Sequence, residues 1–225
     1  MARFTLFSAL KAALLDVDGT LLDSNDAHAR SWLEVLGRHG HACDYAKVRS
    51  LIGKGGDKLL PELVGIGPGH PEFEPMSEER TALFLSRYLP GLRPTPGARQ
   101  LLDKMASEGI RLVVATSAGD EMKALLDQAG VADLIQHAAT SEDAENSKPD
   151  ADIVHAALAK AGVVAEQALM FGDTPFDVQA ARSAGVGAVC FRCGGWWKDI
   201  DLAGAIAIYD DPADLLSHWP SHRPS

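Results

Sequence analysis

Three cysteines in 225 residues, Cys43, Cys190 and Cys193, are too few and too unevenly placed to form a disulfide framework. The chain must therefore be held together by a buried core. It also lacks any run of the ~18 apolar residues that a membrane-spanning helix requires, so no membrane association is expected. The apolar patches between Phe4 and Leu15 are interrupted by Lys11 and end without a small-residue cleavage site, which argues against a secretory leader and for a cytoplasmic protein. Positive charge is in deficit: 21 Lys and Arg stand against 31 Asp and Glu, a formal charge of −10. Such a field repels nucleic acid and acidic membranes, so any phosphate has to be captured by a local site. No Gly-x-Gly-x-x-Gly turn follows the first strand, which removes the usual mark of a dinucleotide-binding protein.

What is present is a set of short apolar runs bounded by turn residues: Ala12–Leu15, Leu112–Ala115, Ala168–Phe171 and Ala188–Phe191. Their length and lack of alternation predict buried parallel strands. Amphipathic segments near Gly97–Glu108, Asp120–Ala129, Ala151–Ala161 and Phe176–Ala184 lie among them, each closing on a glycine as helices often do. Strand and helix in alternation predict an α/β fold with a doubly wound, Rossmann-like parallel sheet. About ninety residues separate the first two strands, too many for one crossover helix. That stretch reads as helical, near Ala27–Arg38, Tyr45–Leu51, Lys58–Leu63 and Ser77–Leu89, and returns through the Pro- and Gly-rich linker Pro90–Gly97. The expected division is a catalytic core of residues 1–20 and 94–225 with an α-helical cap domain at 21–93.

The first strand delivers Asp16-Val17-Asp18-Gly19-Thr20, placing two carboxylates at its C-terminal end, where ligands bind in open α/β sheets. Thr116, Lys148, Asp173 and Asp177 follow later strands or sit in the loops beside them. Transfer of a phosphoryl group needs a nucleophile, a cation, donors aimed at the phosphoryl oxygens and a proton for the leaving alkoxide. Asp16 suits the nucleophile and Asp18 the acid and base. Thr116, with the backbone amide of Ser117, suits the donor set, and Lys148 supplies fixed positive charge. Mg2+ prefers oxygen ligands and binds through one or two carboxylates, a description that Asp16 and Asp173 fit.

The sequence resembles the haloacid dehalogenase superfamily over essentially its whole length. Four motifs occur in order: Asp16-Val17-Asp18-Gly19-Thr20, Thr116, Lys148-Pro149 and Gly172-Asp173-Thr174-Pro175-Phe176-Asp177. The resemblance implies Mg2+ held by Asp16, the backbone carbonyl of Asp18 and Asp173, with Asp177 in support. It also implies an aspartyl-phosphate intermediate on Asp16. The helical insertion is similar to the cap of the subfamily containing phosphoglycolate phosphatase and beta-phosphoglucomutase, and in the latter the position matching His28 helps place the acid/base aspartate. The loop Ile52–Lys58 has Gly56 where that mutase has its phosphate-gripping arginine, and Ala118, Gly119 and Asp120 replace its sugar-phosphate contacts. Hydrolysis of a small phosphorylated metabolite by a monomer or homodimer is therefore expected. A phosphosugar mutase, or a non-catalytic phosphate-binding module, is the alternative.

In the cap, Gly55 and Gly56 suit a loop that approaches substrate closely, and Lys54 or Lys58 would suit an acidic distal group. Cys190 and Cys193 have the spacing of a redox or zinc pair, but Cys190 falls in a buried strand and reads as core. Trp196 and Trp197 are expected either to wall the pocket or to pack beneath the C-terminal helix.

Overall fold

The protein is described here by a computed structural model covering residues 7, 9–119 and 121–220. In chain order β1 (Ala12–Leu15) precedes four helices, α1 (Asn25–Arg38), α2 (Tyr45–Arg49), α3 (Gly56–Val64) and α4 (Phe73–Leu83). The chain continues with α5 (Ala98–Ser107), β2 (Arg111–Ala115), α6 (Met122–Ala129), β3 (His137–Ala139), α7 (Asp152–Ala161), β4 (Ala168–Gly172), α8 (Pro175–Ser183), β5 (Gly187–Phe191), β6 (Ala207–Tyr209) and α9 (Pro212–Ser217).

The six strands form one sheet in the order β3-β2-β1-β4-β5-β6, and every pairing is parallel. Both faces are covered, which explains why the strand sequences do not alternate with polar residues. Ala13, Leu15, Leu112, Val114, Phe171, Val189 and Phe191 point into the core shared with α5, α6 and α9. Ala12, Leu14, Val113, Met170, Ala188 and Cys190 point into the opposite core, shared with α7 and α8. The order reverses between β1 and β4, so a crevice opens at their C-terminal ends, where this class of sheet binds its ligands.

The edge strands β3 and β6 were absent from the sequence-based expectation. Each is three residues long; His137-Ala138-Ala139 carries no β-branched residue, and Ala207-Ile208-Tyr209 closes a short apolar run to which the expectation assigned no strand. The helix expected at Ser77–Leu89 instead begins at Phe73 and passes into a π-helical turn at Phe84–Tyr88. Pro75 reads as a stop, yet it sits in the first turn, where its missing N–H has no helical partner to lose. The helix expected from Asp120 starts at Met122, and Asp120 itself lies outside the described residues. Among the described residues no helix is long and apolar enough to cross a membrane.

Helices α1 to α4 bury their own cluster, built on Trp32, Val35, Leu36, Val48, Leu59, Leu60, Phe73 and Met76. The two strands of chain that leave and re-enter the sheet run side by side. The Asp23 amide donates to the Arg93 carbonyl at 3.0 Å and the Thr95 amide to the Leu21 carbonyl at 3.1 Å. We propose these crossings as the boundary between a cap at 21–93 and the core, because a paired double linker lets one cluster move against the other with few bonds disturbed.

Candidate active site

Asp16 leaves the end of β1 and Asp173 the end of β4, the two strands that flank the switch point. Lys148 reaches the same place from the loop before α7. Its Nζ donates to Asp16 Oδ1 at 2.5 Å and to Asp177 Oδ1 at 2.7 Å, and all four side chains are buried. Asp177 is held from behind by a capping box. Its Oδ2 accepts from the Thr174 amide at 3.0 Å and the Thr174 hydroxyl at 2.7 Å, so one carboxylate both starts α8 and orients the lysine. Pro175 at the first helical position completes this start signal.

Oxygens of Asp16, Asp173 and Asp177 lie within 4.8 Å of one another. Burial pushes Asp16 up to about 8, with Lys148 offsetting part of the effect and Asp177 and Asp18 adding to it. Burial likewise raises Asp173 well above the ordinary carboxylate range, with Asp177 and Asp16 next in weight. Lys148 is pulled down by burial, but Asp16 and Asp177 more than restore it. Three buried carboxylates against one ammonium form a set of hard oxygen donors short of positive charge, which is the chemistry that suits Mg2+.

Asp18 turns away from this cluster. Its Oδ1 accepts from Ser24 Oγ at 2.5 Å and lies 2.6 Å from His28 Nε2. A guanidinium can only donate, so the Arg80 Nη2 bond to His28 Nδ1 leaves Nε2 as the proton-bearing atom that faces Asp18. Arg80 Nη1 also donates to Glu121 Oε1 at 2.7 Å, and the His28 ring stacks on Phe84 at 4.0 Å. Burial alone would raise the Asp18 carboxyl, but His28, Ser24 and Arg80 outweigh it and hold it below its ordinary range.

The turn between these groups depends on glycine. Gly19 has φ +74°, and a Cβ there would collide with Asn25 and Asp173. Gly194, in the turn after β5, approaches Asp173 so closely that a Cβ would overlap its carboxylate. Asn25 Nδ2 donates to Asp173 Oδ2 at 2.7 Å, fixing that side chain from the start of α1. We expect Gly194→Ala to raise the Mg2+ concentration for half-maximal activity at least about tenfold and to lower thermal stability by about 1–3 kcal/mol, since the added methyl has only Asp173 to displace. Metal titration and thermal melts check this, and an unchanged metal requirement would show that the contact is incidental.

Thr116 and Ser117 follow β2 and line the same crevice, a cavity of about 860 Å³ between cap and core. Thr116 Oγ1 accepts from the Ala118 amide at 3.1 Å, and Ser117 Oγ is buried without a partner. Gly55 and Gly56 border the cavity, and the Gly55 amide donates to Ser147 Oγ at 3.2 Å, beside Lys148. Lys58 takes a different position from the one expected. Its Nζ pairs with Asp150 at 2.9 Å across the cap–core seam, outside the cavity wall, because that acidic loop offers it a nearer partner than any substrate would. Trp196 and Trp197 do neither of the things expected of them. Trp196 lies under the Arg49 guanidinium, and Trp197 packs edge-on against Phe176 on the α7/α8 side of the sheet. Cys190 is core, Cys193 Sγ donates to the Gly19 carbonyl at 3.2 Å, and burial raises both thiols, which leaves them poor nucleophiles.

Sequence reasoning assigned no role to Ser24, Asn25, Arg49, Arg80, Glu121 or Gly194. Ser24 and Asn25 stand just past the first motif and were within reach of a closer reading. Arg80 and Glu121 meet only because the cap folds over the core, and Arg49 reaches the Gly194 carbonyl for the same reason.

Fold and site together define a hydrolase acting on phosphoric monoesters. The profile of the family described as haloacid dehalogenase-like hydrolase matches residues 13–191, and the chain belongs to that family. A phosphoglycolate phosphatase of Rhodospirillum rubrum is 35% identical over 214 residues, covering 91% of this chain and 89% of the relative. A validoxylamine A 7'-phosphate phosphatase of Streptomyces hygroscopicus subsp. limoneus is 29% identical over 219 residues, covering 96% and 99%. The crystal structure of a hydrolase from Pseudomonas syringae superposes with a TM-score of 0.84 at 28% identity, covering 92% of this chain and 97% of that one.

Proposed function

We propose that the protein is a Mg2+-dependent phosphatase of a small phosphorylated metabolite, working through an aspartyl-phosphate on Asp16. The observation that carries this reading is the division of labour at the end of β1. Asp16 faces Lys148 and the carboxylate cluster, while Asp18, two residues on, faces His28 and the cap. Asp16 and Asp173, with the Asp18 carbonyl, would hold Mg2+, whose charge would keep Asp16 ionised and neutralise the oxygens of the transferring group.

Asp16 attacks phosphorus and the bond to the leaving oxygen breaks. That oxygen takes a proton from Asp18, whose carboxyl the arriving phosphate charge drives toward its protonated form. Water then attacks the acyl phosphate, gives a proton to Asp18, and releases phosphate and free Asp16. Thr116 and Ser117 supply hydroxyl donors for the phosphoryl oxygens, and Lys148 holds Asp16 in line through its bond to Oδ1. His28 is a positioning residue, since it touches Asp18 alone among the reacting groups.

A mutase would need a cation for a second phosphate. Gly56 offers none, and Lys54 Nζ is taken by Glu62 at 2.5 Å. Phosphate release from a panel of phosphorylated metabolites tests the reading. We expect release with Mg2+, loss of essentially all of it on chelation, and recovery when Mg2+ is returned. Activity indifferent to the chelator would remove the metal from the mechanism.

A further inference from the structure

The cavity that receives the leaving group is wide and short of free positive charge. Away from the catalytic cluster, Lys54 and Arg80 are its only lysine or arginine side chains among the described residues, and each is already neutralised. Lys54 pairs with Glu62 and lies over the Phe176 ring at 5.0 Å, while Arg80 pairs with buried Glu121. Glu74 and Glu78 on α4 and Glu145 before Lys148 line the same space without a cationic partner among the described residues. A second carboxylate or phosphate on the substrate would meet like charge there and find no cation free to offset it.

The same wall does offer neutral hydrogen-bonding capacity. Arg80 is 8% exposed, and among the described residues its Nε is buried without a partner, as is Ser77 Oγ on the same helix. Unpaired buried polar atoms are costly unless a ligand satisfies them, and hydroxyl groups can accept from both. Volume points the same way. A cavity of about 860 Å³ would be left mostly empty by a two-carbon acid phosphate.

Resting on the phosphatase reading above, we infer that the site selects monophosphates whose leaving group is an uncharged, hydroxyl-bearing body of about sugar size, and disfavours leaving groups with a second negative charge. Among the described residues that line the cavity, none offers a free cation for a glycolate carboxylate.

The test compares kcat/KM, with Mg2+ and at low salt, for ribose 5-phosphate, glucose 6-phosphate, fructose 1-phosphate, phosphoglycolate, fructose 1,6-bisphosphate and p-nitrophenyl phosphate. At least one neutral sugar monophosphate is expected to exceed phosphoglycolate and the bisphosphate by about tenfold or more. Glu74→Gln with Glu78→Gln, both exposed, should raise kcat/KM for phosphoglycolate about threefold relative to that for the preferred sugar phosphate. Glu121→Gln frees the Arg80 charge and should move the ratio further toward phosphoglycolate. Phosphoglycolate or the bisphosphate as the better substrate overturns the inference, as does hydrolysis of p-nitrophenyl phosphate with rejection of every sugar phosphate. Failure to hydrolyse any member of the panel, p-nitrophenyl phosphate included, would instead overturn the phosphatase reading.

Discussion

Asp16→Asn is expected to lose at least about 10³-fold in kcat and to form no phosphoenzyme with any substrate, because an amide of nearly the same shape cannot attack phosphorus. Lys148 keeps its bond to Asp177 in this variant, so the cluster should stay folded. A signature in stability accompanies the loss. In the metal-free protein burial lifts Asp16 from its ordinary 3.8 to about 8. A carboxyl whose folded value is raised favours folding in its protonated form, so its contribution is full at low pH and is lost as pH rises from about 4 to about 8. Metal-free wild-type protein should therefore lose thermal stability across that window, and Mg2+ should restore it most strongly at pH 8. The variant should show a shallower slope and a smaller response to Mg2+. Thermal melts at pH 5 and pH 8, with and without Mg2+, separate the two proteins. Wild-type turnover by the variant would end the mechanism, and identical pH slopes would show that Asp16 does not carry the buried charge.

The second large effect is expected at Asp18. Removing a positioned acid and base typically costs 10²–10⁴-fold, so Asp18→Asn should fall by about that factor on sugar monophosphates. Its behaviour should depend on the leaving group. p-Nitrophenolate departs without a proton, so the first step on p-nitrophenyl phosphate survives, whereas the second still needs a base to take the proton from water. A rapid burst of nitrophenolate followed by slow turnover, with phosphate trapped on Asp16, is the expected record. Equal losses on both substrates without a burst would mean that Asp18 acts through structure alone. His28→Gln should reproduce part of the defect and shift the pH profile of kcat, since the ring holds Asp18 low through the bond at Nε2.

Much of this site was legible before any fold was known. Asp16, Asp18, Thr116 and Asp173 sit at or just past the ends of buried strands, which can be read from a short apolar run that stops at a polar residue, whereas Lys148 and Asp177 stood out only through the motifs that contain them. The start of α8 was legible for a similar local reason. Thr174, Pro175 and Asp177 spell a capping box within four residues, and its geometry involves no distant partner. What escaped was non-local. Strands β3 and β6 are short edge segments that exist because a neighbour is there to pair with them. Arg80 and Glu121 are ordinary surface-type residues in sequence, yet each is buried once helix and loop meet. Lys58 shows the converse. Its composition and position suited a substrate contact, but an acidic loop ninety residues away holds its charge.

Read alone, the sequence determined the α/β class and the set of residues proposed to carry the chemistry, because those residues fall in motifs of a few residues each beside apolar runs; the order of the strands came from the tertiary structure. Only the tertiary structure decided how the cap is charged. Whether Lys58 and Arg80 are free to greet a substrate depends on which carboxylates fold against them, and Coulomb attraction at 2.7–2.9 Å between groups far apart in the chain is invisible until the chain has closed.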